Sequence, residues 1–224
     1  RENIGHGAGI ALGLEYLMMG RQPELVVFME DDSIPEPNYL DFLIQKISGS
    51  TYSMISSKGS IVSMGRRTQV KPEDKETIEV DFALFDGAIA KFNDLTTVGI
   101  PVRDWFMMFD DFEYCYRLRK EGMKIDVCQN PFIKILHQGW GGGNSHSSKW
   151  RAYYQARNFV HFVRLHFSLT VLLDYFILQG KRLIGGAFSK NGIELTKYRL
   201  MGIRAGLKGK KGQSFDIKNL KEVG

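Results

Sequence analysis

Two cysteines are all that 224 residues contain, and they stand apart at Cys115 and Cys128 in ordinary helix-like and strand-like surroundings. That spacing excludes a disulfide-dense scaffold and a paired-cysteine metal site, and it points to a reducing compartment. No run of about 18 apolar residues occurs, so no transmembrane helix is predicted. The nearest approach, FSLTVLLDYFIL from Phe167 to Leu178, is short and carries Asp174. The opening residues RENIGHGAG do not resemble a signal peptide, and no internal repeat or low-complexity block occurs. Two nucleotide-loop signatures are missing as well. In NIGHGAGIALG, Ile10 takes the place of the third glycine of G-x-G-x-x-G, and no Lys-Ser or Lys-Thr follows to make a P-loop. A dehydrogenase of that type and a P-loop kinase are therefore disfavoured.

What is present is enough apolar material, 43% of the chain, for one substantial core with a helical appendage. The net charge of +5 is uneven. Residues 181–224 hold 11 Lys and Arg against 3 Asp and Glu, a local excess of +8 that leaves residues 1–180 at −3. An anionic partner for the basic end, a membrane surface or a nucleic acid, is the expectation that follows.

Apolar spacing predicts a helix from Gly7 to Leu17, stopped by Gly20 and Pro23, and then a strand, LVVFM, from Leu25 to Met29. PEPNYLDFLIQKI reads as a helix with Leu40, Leu43, Ile44 and Ile47 on its apolar side, so the alternation suggests a parallel α/β layer. Residues 50–92 mix short strands (SIVSMG, TIEVDFALFDGAIA) with a charged loop, KPEDKET. Helices are expected from Lys91 to Val98 and from Asp111 to Glu121, followed by strands in MKIDVC and FIKIL. Beyond the loop HQGWGGGNSHSS the pattern is helical to about Gly206, with breaks near Gly180 and Gly185/Gly186, and GLKGKKGQSF reads as a mobile basic tail.

Four stretches can carry chemistry. Glu30, Asp31 and Asp32 follow a strand directly, where the side chains of an open α/β sheet enter its ligand crevice. Clustered acids relieve their repulsion by holding a hard divalent cation, which can bridge phosphate oxygens; equally, Asp32 and Ser33 can simply cap the next turn. In DWFMMFDDFEYCYRLRKEG, Asp110 and Glu113 have capping-box spacing, and Glu113 and Arg117 have the spacing of a surface ion pair. Asp111 is left over beside Trp105, Phe106 and Phe109, where partial burial raises a carboxyl toward use as a general base. His137 precedes a glycine-rich loop with Trp140; a lone histidine there is a structural residue or a completing metal ligand, and the tryptophan is a platform for a sugar ring. The segment WRAYYQARNFVHFVRLH is an aromatic helix packed on the domain, or one whose Arg157 and Asn158 meet substrate while Phe159, Phe162 and Phe167 approach lipid.

Taken in order, N-x-G-x-G-A-G (Asn3 to Gly9), a strand ending in EDD with P-x-P after it, and D-D-x-E-Y-x-x-R-x-x-x-x-G (Asp110 to Gly122) resemble the family 2 glycosyltransferases of the GT-A fold. HQGW followed by YYQARN is most similar to their galactofuranosyl- and rhamnosyl-transferase branch. The resemblance spans roughly residues 1–165. It implies an α/β GT-A domain over 1–148 with a mixed sheet flanked by helices, a helical region over 149–206 and a basic tail over 207–224. It also implies that the family's first strand lies upstream of Arg1.

The activity implied is inverting transfer of a sugar, galactofuranose or rhamnose, from a UDP- or dTDP-linked donor to a glycan or lipid-linked acceptor. Asp111 would be the catalytic base, and Asp32 and His137 the ligands of a Mn or Mg ion. Asn3, Gly5, Gly7, Glu30 and Asp31 would meet the donor; Asp110, Trp105 and Trp140 would meet the acceptor. Glu30 stands where the family has Asp, and Phe109 where some galactofuranosyl enzymes have Trp. The implied location is cytoplasmic, peripheral on the inner face of the membrane, with no nucleic acid bound. Two other readings belong beside it: a Mg-dependent nucleotidyltransferase, and a non-enzymatic module that binds an anionic surface through its basic tail.

Overall fold

The computed structural model describes residues 3–20, 22–30, 33–70, 77–128, 133–135, 145–188 and 192–223. Helix α1 (His6–Met19) leads into β1 (Leu25–Phe28), β2 (Ser33–Pro35) and α2 (Tyr39–Ile47). Six short strands follow: β3 (Met54–Ser56), β4 (Gly59–Ser63), β5 (Arg66–Val70), β6 (Ile78–Val80), β7 (Phe82–Ala83) and β8 (Ala88–Lys91). Then come α3 (Phe92–Val98), α4 (Asp110–Lys120), β9 (Ile125–Val127) and β10 (Ile133–Ile135). The remainder is α5 (Ser145–Leu165), α6 (Leu169–Ala187), α7 (Gly192–Leu207), β11 (Phe215–Asp216) and β12 (Lys221–Glu222).

The central sheet has the order β1-β8-β3-β9-β6. It is mixed, and the expected parallel layer is a correction: β3 and β9 pair in parallel, whereas β8 runs antiparallel to both β1 and β3, and β6 antiparallel to β9. The chain enters β8 from a tight Asp86–Gly87 turn, where Gly87 N–H bonds to Phe28 O, instead of returning through a crossover helix. Both faces of β1 are covered. Val26 and Phe28 join a core with Leu14, Tyr114 and Leu118, while Leu25 and Val27 join one with Tyr39, Leu43 and Ile47 of α2. A second sheet, β5-β4-β7, flanks the first.

Helix α6 runs through Gly180, so the expected break there does not occur, whereas it ends at Ala187, next to the break expected near Gly185/Gly186. The chain also turns before Leu169, where Ser168 Oγ accepts from Val171 N–H at 3.1 Å. A helical glycine costs about 1 kcal/mol against alanine, which tertiary packing offsets. On α7, Gly202 lies so close to α5 that a Cβ would overlap Tyr153 O.

The basic segment after Leu207 is folded, in contrast to the mobile tail that composition suggests. Phe215 is fully buried and stacks on Tyr153 with ring centroids 4.4 Å apart, and Gly212 N–H bonds to Asp104 O at 2.6 Å. One buried aromatic anchors what glycine and lysine alone would leave in solvent.

Between α3 and α4 the backbone is forced. Phe106, Met108 and Phe109 all have positive φ, at 64°, 68° and 76°, and each such non-glycine residue costs of order 1–3 kcal/mol. Asn158 holds the segment by donating from Nδ2 to Trp105 O (3.1 Å), Met107 O (2.8 Å) and Met108 O (2.8 Å), and Arg157 Nη2 donates to Trp105 O at 2.5 Å. Asn158→Leu should therefore lower unfolding free energy by about 3 kcal/mol, roughly 1 kcal/mol for each of the two Nδ2 N–H donors and for Oδ1, which accepts from Arg157 Nε. Urea denaturation checks this, and a loss under about 1 kcal/mol would show that the segment holds itself.

Candidate active site

The forced segment delivers the first turn of α4 to one wall of a cavity of about 640 Å³. His6, Glu30, Asp86, Asp110 and Asp111 line its acidic side, with Met107, Met108, Phe109 and Phe112 beside them. Four separate pieces of chain supply these acids and the histidine: the start of α1, the end of β1, the turn before β8 and the start of α4.

Asp111 is half-buried, and its Oδ1 accepts from Phe112 N–H at 2.8 Å. Burial and the adjacent charge of Asp110 push its carboxyl up to about 8, against the lowering influence of His6 and that N–H. Asp110 is buried and spends its side chain elsewhere than the predicted helix cap: its Oδ2 meets His6 Nδ1 in a short hydrogen bond. The residue at the cap position is Phe109, in a left-handed conformation, and no side chain caps the helix. Burial works against a charge on His6, yet the bond to Asp110 and the charges of Asp110, Asp111 and Glu30 carry its pKa to about 9. His6 is thus an imidazolium at neutral pH. Its Nε2 lies 3.6 Å from Glu30 Oε1, so one cation links Glu30 after β1 to Asp110 at the start of α4.

The predicted ion pair of Glu113 and Arg117 forms, at 2.8 Å and 3.0 Å, but inside the protein. Glu113 is fully buried and also meets His166 Nε2 at 2.8 Å, while Arg117 donates to Val98 O and Ile100 O. It fastens α4 to α3 and α5.

Asn3, Gly5 and Gly7 sit beside the acids. Asn3 Oδ1 accepts from Gly5 N–H at 2.9 Å. Gly5 has φ 90°, and a Cβ there would overlap Phe106 O, so only glycine lets the chain pass close enough for His6 N–H to bond to Phe106 O at 2.9 Å. Gly7 packs against the Asp110 side chain and Val102 O. Trp105 is placed differently from the acceptor-facing role expected of it. It is 3% exposed, packs with Phe159, Phe162 and Val163, and does not line the cavity. Arg157 and Asn158 are fully buried and bonded to the protein itself, which leaves nothing for a substrate. Asp31, Asp32, His137 and Trp140 lie outside the described residues.

Two site residues escape sequence reasoning. His6 is hidden among glycines, and only a contact 104 residues away gives it a role. Asp86 sits in an ordinary Asp-Gly turn; its carboxylate accepts Ser33 O–H at 2.7 and 2.8 Å and Glu30 N–H at 3.2 Å, so it holds both ends of the acidic loop.

Among the described residues no three His, Cys, Asp or Glu side chains converge on a metal position. The available donors are nonetheless of the right kind: a hard cation prefers carboxylate oxygens, and Glu30 and Asp86 bracket the loop that carries Asp31 and Asp32.

No protein-family model matches the chain, and no curated protein matches it in sequence. Solved structures do match in fold. One is the crystal structure of GalNAc-T7 with UDP, GalNAc and Mn2+, similar over 91% of this chain with a TM-score of 0.57 and 10% sequence identity. The chain spans 43% of that protein's length, so the likeness concerns the shared domain. The mixed sheet between helices is a GT-A fold.

Proposed function

We propose that the chain is an inverting, metal-dependent glycosyltransferase of the family 2 type, with galactofuranose or rhamnose as the transferred sugar. The observation that carries this reading is Asp111, a carboxyl raised to about 8 on the wall of a cavity that Glu30, just after β1, also lines. Asp111 takes the proton of an acceptor hydroxyl as that oxygen attacks the anomeric carbon, and the bond from that carbon to the donor diphosphate breaks with its electron pair on the leaving oxygen. One enzymic carboxylate suffices for such a single displacement. Glu30 and Asp31 meet the donor's ribose and phosphates, with Asn3, Gly5 and Gly7 on the nucleotide side. Asp32 and His137 would hold the Mn or Mg ion, which when bound neutralises charge on the leaving diphosphate. Trp140 would stack on the acceptor sugar. Asp110 keeps His6 charged beside the base and so fixes the field in which Asp111 titrates.

A peripheral position on a membrane belongs to the same proposal, with a changed surface. Phe159 and Phe162 are buried, so α5 cannot offer them to lipid. Helix α6 can: Leu169, Leu173, Phe176, Ile184 and Phe188 recur at helical spacing along its outer side, with Phe188 87% and Leu169 73% exposed. No helix among the described residues is long and apolar enough to cross a membrane, so this stripe would lie along the surface. The excess of +8 over residues 181–224 favours anionic lipid.

With a panel of sugar nucleotides, Mn2+ and acceptor, nucleotide release should require Asp111, and Asp111→Asn should lose roughly 100-fold or more; undiminished release would falsify the base assignment. The rate kcat/KM should rise with pH through about 8, as Asp111 loses its proton.

Stability should move the other way. The folded carboxyl keeps its proton to about 8, whereas an unfolded aspartate releases it near about 4, so the native state binds more protons between these values. The stability this group contributes is complete below that lower pH and is lost as pH rises through about 8. Asp111→Asn should then melt above wild type at about pH 9, by a margin that closes toward pH ~4, and a margin independent of pH would refute the assignment.

Liposomes of anionic phospholipid should sediment the full chain at low salt and fail to sediment a Leu173→Asp/Phe176→Asp double variant. Equal sedimentation of both would remove the α6 surface from the reading.

A further inference from the structure

The cavity has a second charged wall, opposite in sign. Arg67 from β5, Arg182 from α6 and Arg199 from α7 line it, with Lys58 and Arg151. Arg67 is already engaged. It chelates Asp174 through Nη1 (3.1 Å) and Nη2 (2.5 Å) and lies over the Phe112 ring at 5.1 Å. Arg199 donates Nη1 to Arg182 O at 3.2 Å, which locks α7 to α6 and sets the two guanidinium-bearing residues side by side. Among the described residues the Arg182 guanidinium itself makes no hydrogen bond or ion pair.

That is an expensive arrangement. Burial, and then the charges of Arg199 and Arg67 against the single Asp174, bring Arg182 down to about 10. Three arginines around one carboxylate leave positive charge uncompensated in a partly desolvated place, where burying an unpaired charge is costly. A planar fork of donors is also the group best matched to a tetrahedral oxyanion, which it can grip with two parallel bonds.

We propose that Arg182, supported by Arg199, binds a phosphate or diphosphate ester group on the acceptor, at the arginine-lined part of the cavity. The inference rests on the glycosyltransferase reading, and it divides the cavity into two anion sites of different construction. The donor's diphosphate belongs at the acidic end, where a cation must come with it. A second anion, arriving without a cation, would be repelled by Glu30 and Asp110 and attracted by the arginines. A cavity of about 640 Å³ has room for a sugar ring between the two, which would bring an acceptor hydroxyl to Asp111.

The test uses inorganic pyrophosphate and geranyl diphosphate, titrated calorimetrically into the full chain without nucleotide or metal. Wild type should bind both. Arg182→Gln should weaken binding about tenfold, the worth of one charge-assisted pair, and Arg182→Lys should fall between. Removing an unpaired cation relieves burial cost, so the glutamine variant should melt no lower than wild type, and the lysine variant keeps the side-chain stem if it does not. Asp111→Asn should bind pyrophosphate like wild type, and UDP with Mn2+ should bind Arg182→Gln undiminished. Tighter binding of geranyl diphosphate would assign a lipid ester, and equal binding a soluble one. Pyrophosphate affinity unchanged in both arginine variants would overturn the proposal, as would a loss of UDP–Mn2+ affinity as large as that of pyrophosphate. Arg182-dependent pyrophosphate binding in a chain that turns over no sugar nucleotide would sink the glycosyltransferase reading and uphold the anion site.

Discussion

Arg157 carries its charge into a fully buried place, and every hydrogen bond it makes among the described residues goes to a neutral acceptor. Nε donates to Asn158 Oδ1, Nη1 to Gly212 O and Ser214 Oγ, and Nη2 to Trp105 O, while the guanidinium plane lies 4.6 Å from the Tyr154 ring. Burial lowers its pKa for this reason. Such an arrangement is costly to create and costlier to break, because loss of the side chain strands several buried carbonyls at once. Three parts of the molecule meet on it: the forced loop before α4, the body of α5 and the folded C-terminal segment. Asn158 completes the grip on the loop. The position of Asp110 and Asp111 thus depends on two side chains of α5, about 40 residues downstream, that do not themselves line the cavity.

The consequence for chemistry is rigidity where strain is present. A backbone with three positive φ values would relax if it could, and relaxation would carry Asp111 away from His6 and the cavity. Holding the loop from beneath with buried donors keeps the carboxyl desolvated beside Asp110, and burial first, then that neighbouring charge, raises its pKa. The same placement lowers stability at the pH where the base is ionised, the usual exchange at a site built for reactivity.

Local pattern made several elements legible. Helix α1, strand β1, helix α4 and the strands after Gly122 follow from apolar period and glycine stops, and the acidic pair at Asp110 and Asp111 stands out by charge. Other features were hidden because their causes are remote. The antiparallel insertion of β8 depends on which strands it finds, which no window around residues 88–91 shows. The capping-box pattern at Asp110 misleads, since a histidine far upstream claims that side chain. Arg157, Asn158 and Trp105 look like ligand-binding residues because polar and aromatic side chains serve substrates and cores alike, and burial alone separates the two uses. The basic tail is ordered by a single phenylalanine, Phe215, against a composition that argues the reverse. Arg182 and Arg199 of the cavity wall lie 17 residues apart on consecutive helices, and only the packing of α6 on α7 makes them neighbours.

Glu30 is explained by the same geometry. At the end of β1 its backbone is held by Asp86, so the reach of its side chain decides what it touches. Its carboxylate comes to 3.6 Å from His6 Nε2, on the opposite ring nitrogen from Asp110. An aspartate would stop short by one carbon–carbon bond, about 1.5 Å, and the link would be lost. The imidazolium is then shared between two acids from different halves of the site, so charge arriving near β1 with a donor is felt by His6 and, through Asp110, by Asp111. A lengthened acid at position 30 and a histidine at position 6 form one electrostatic unit, in which each residue accounts for the presence of the other.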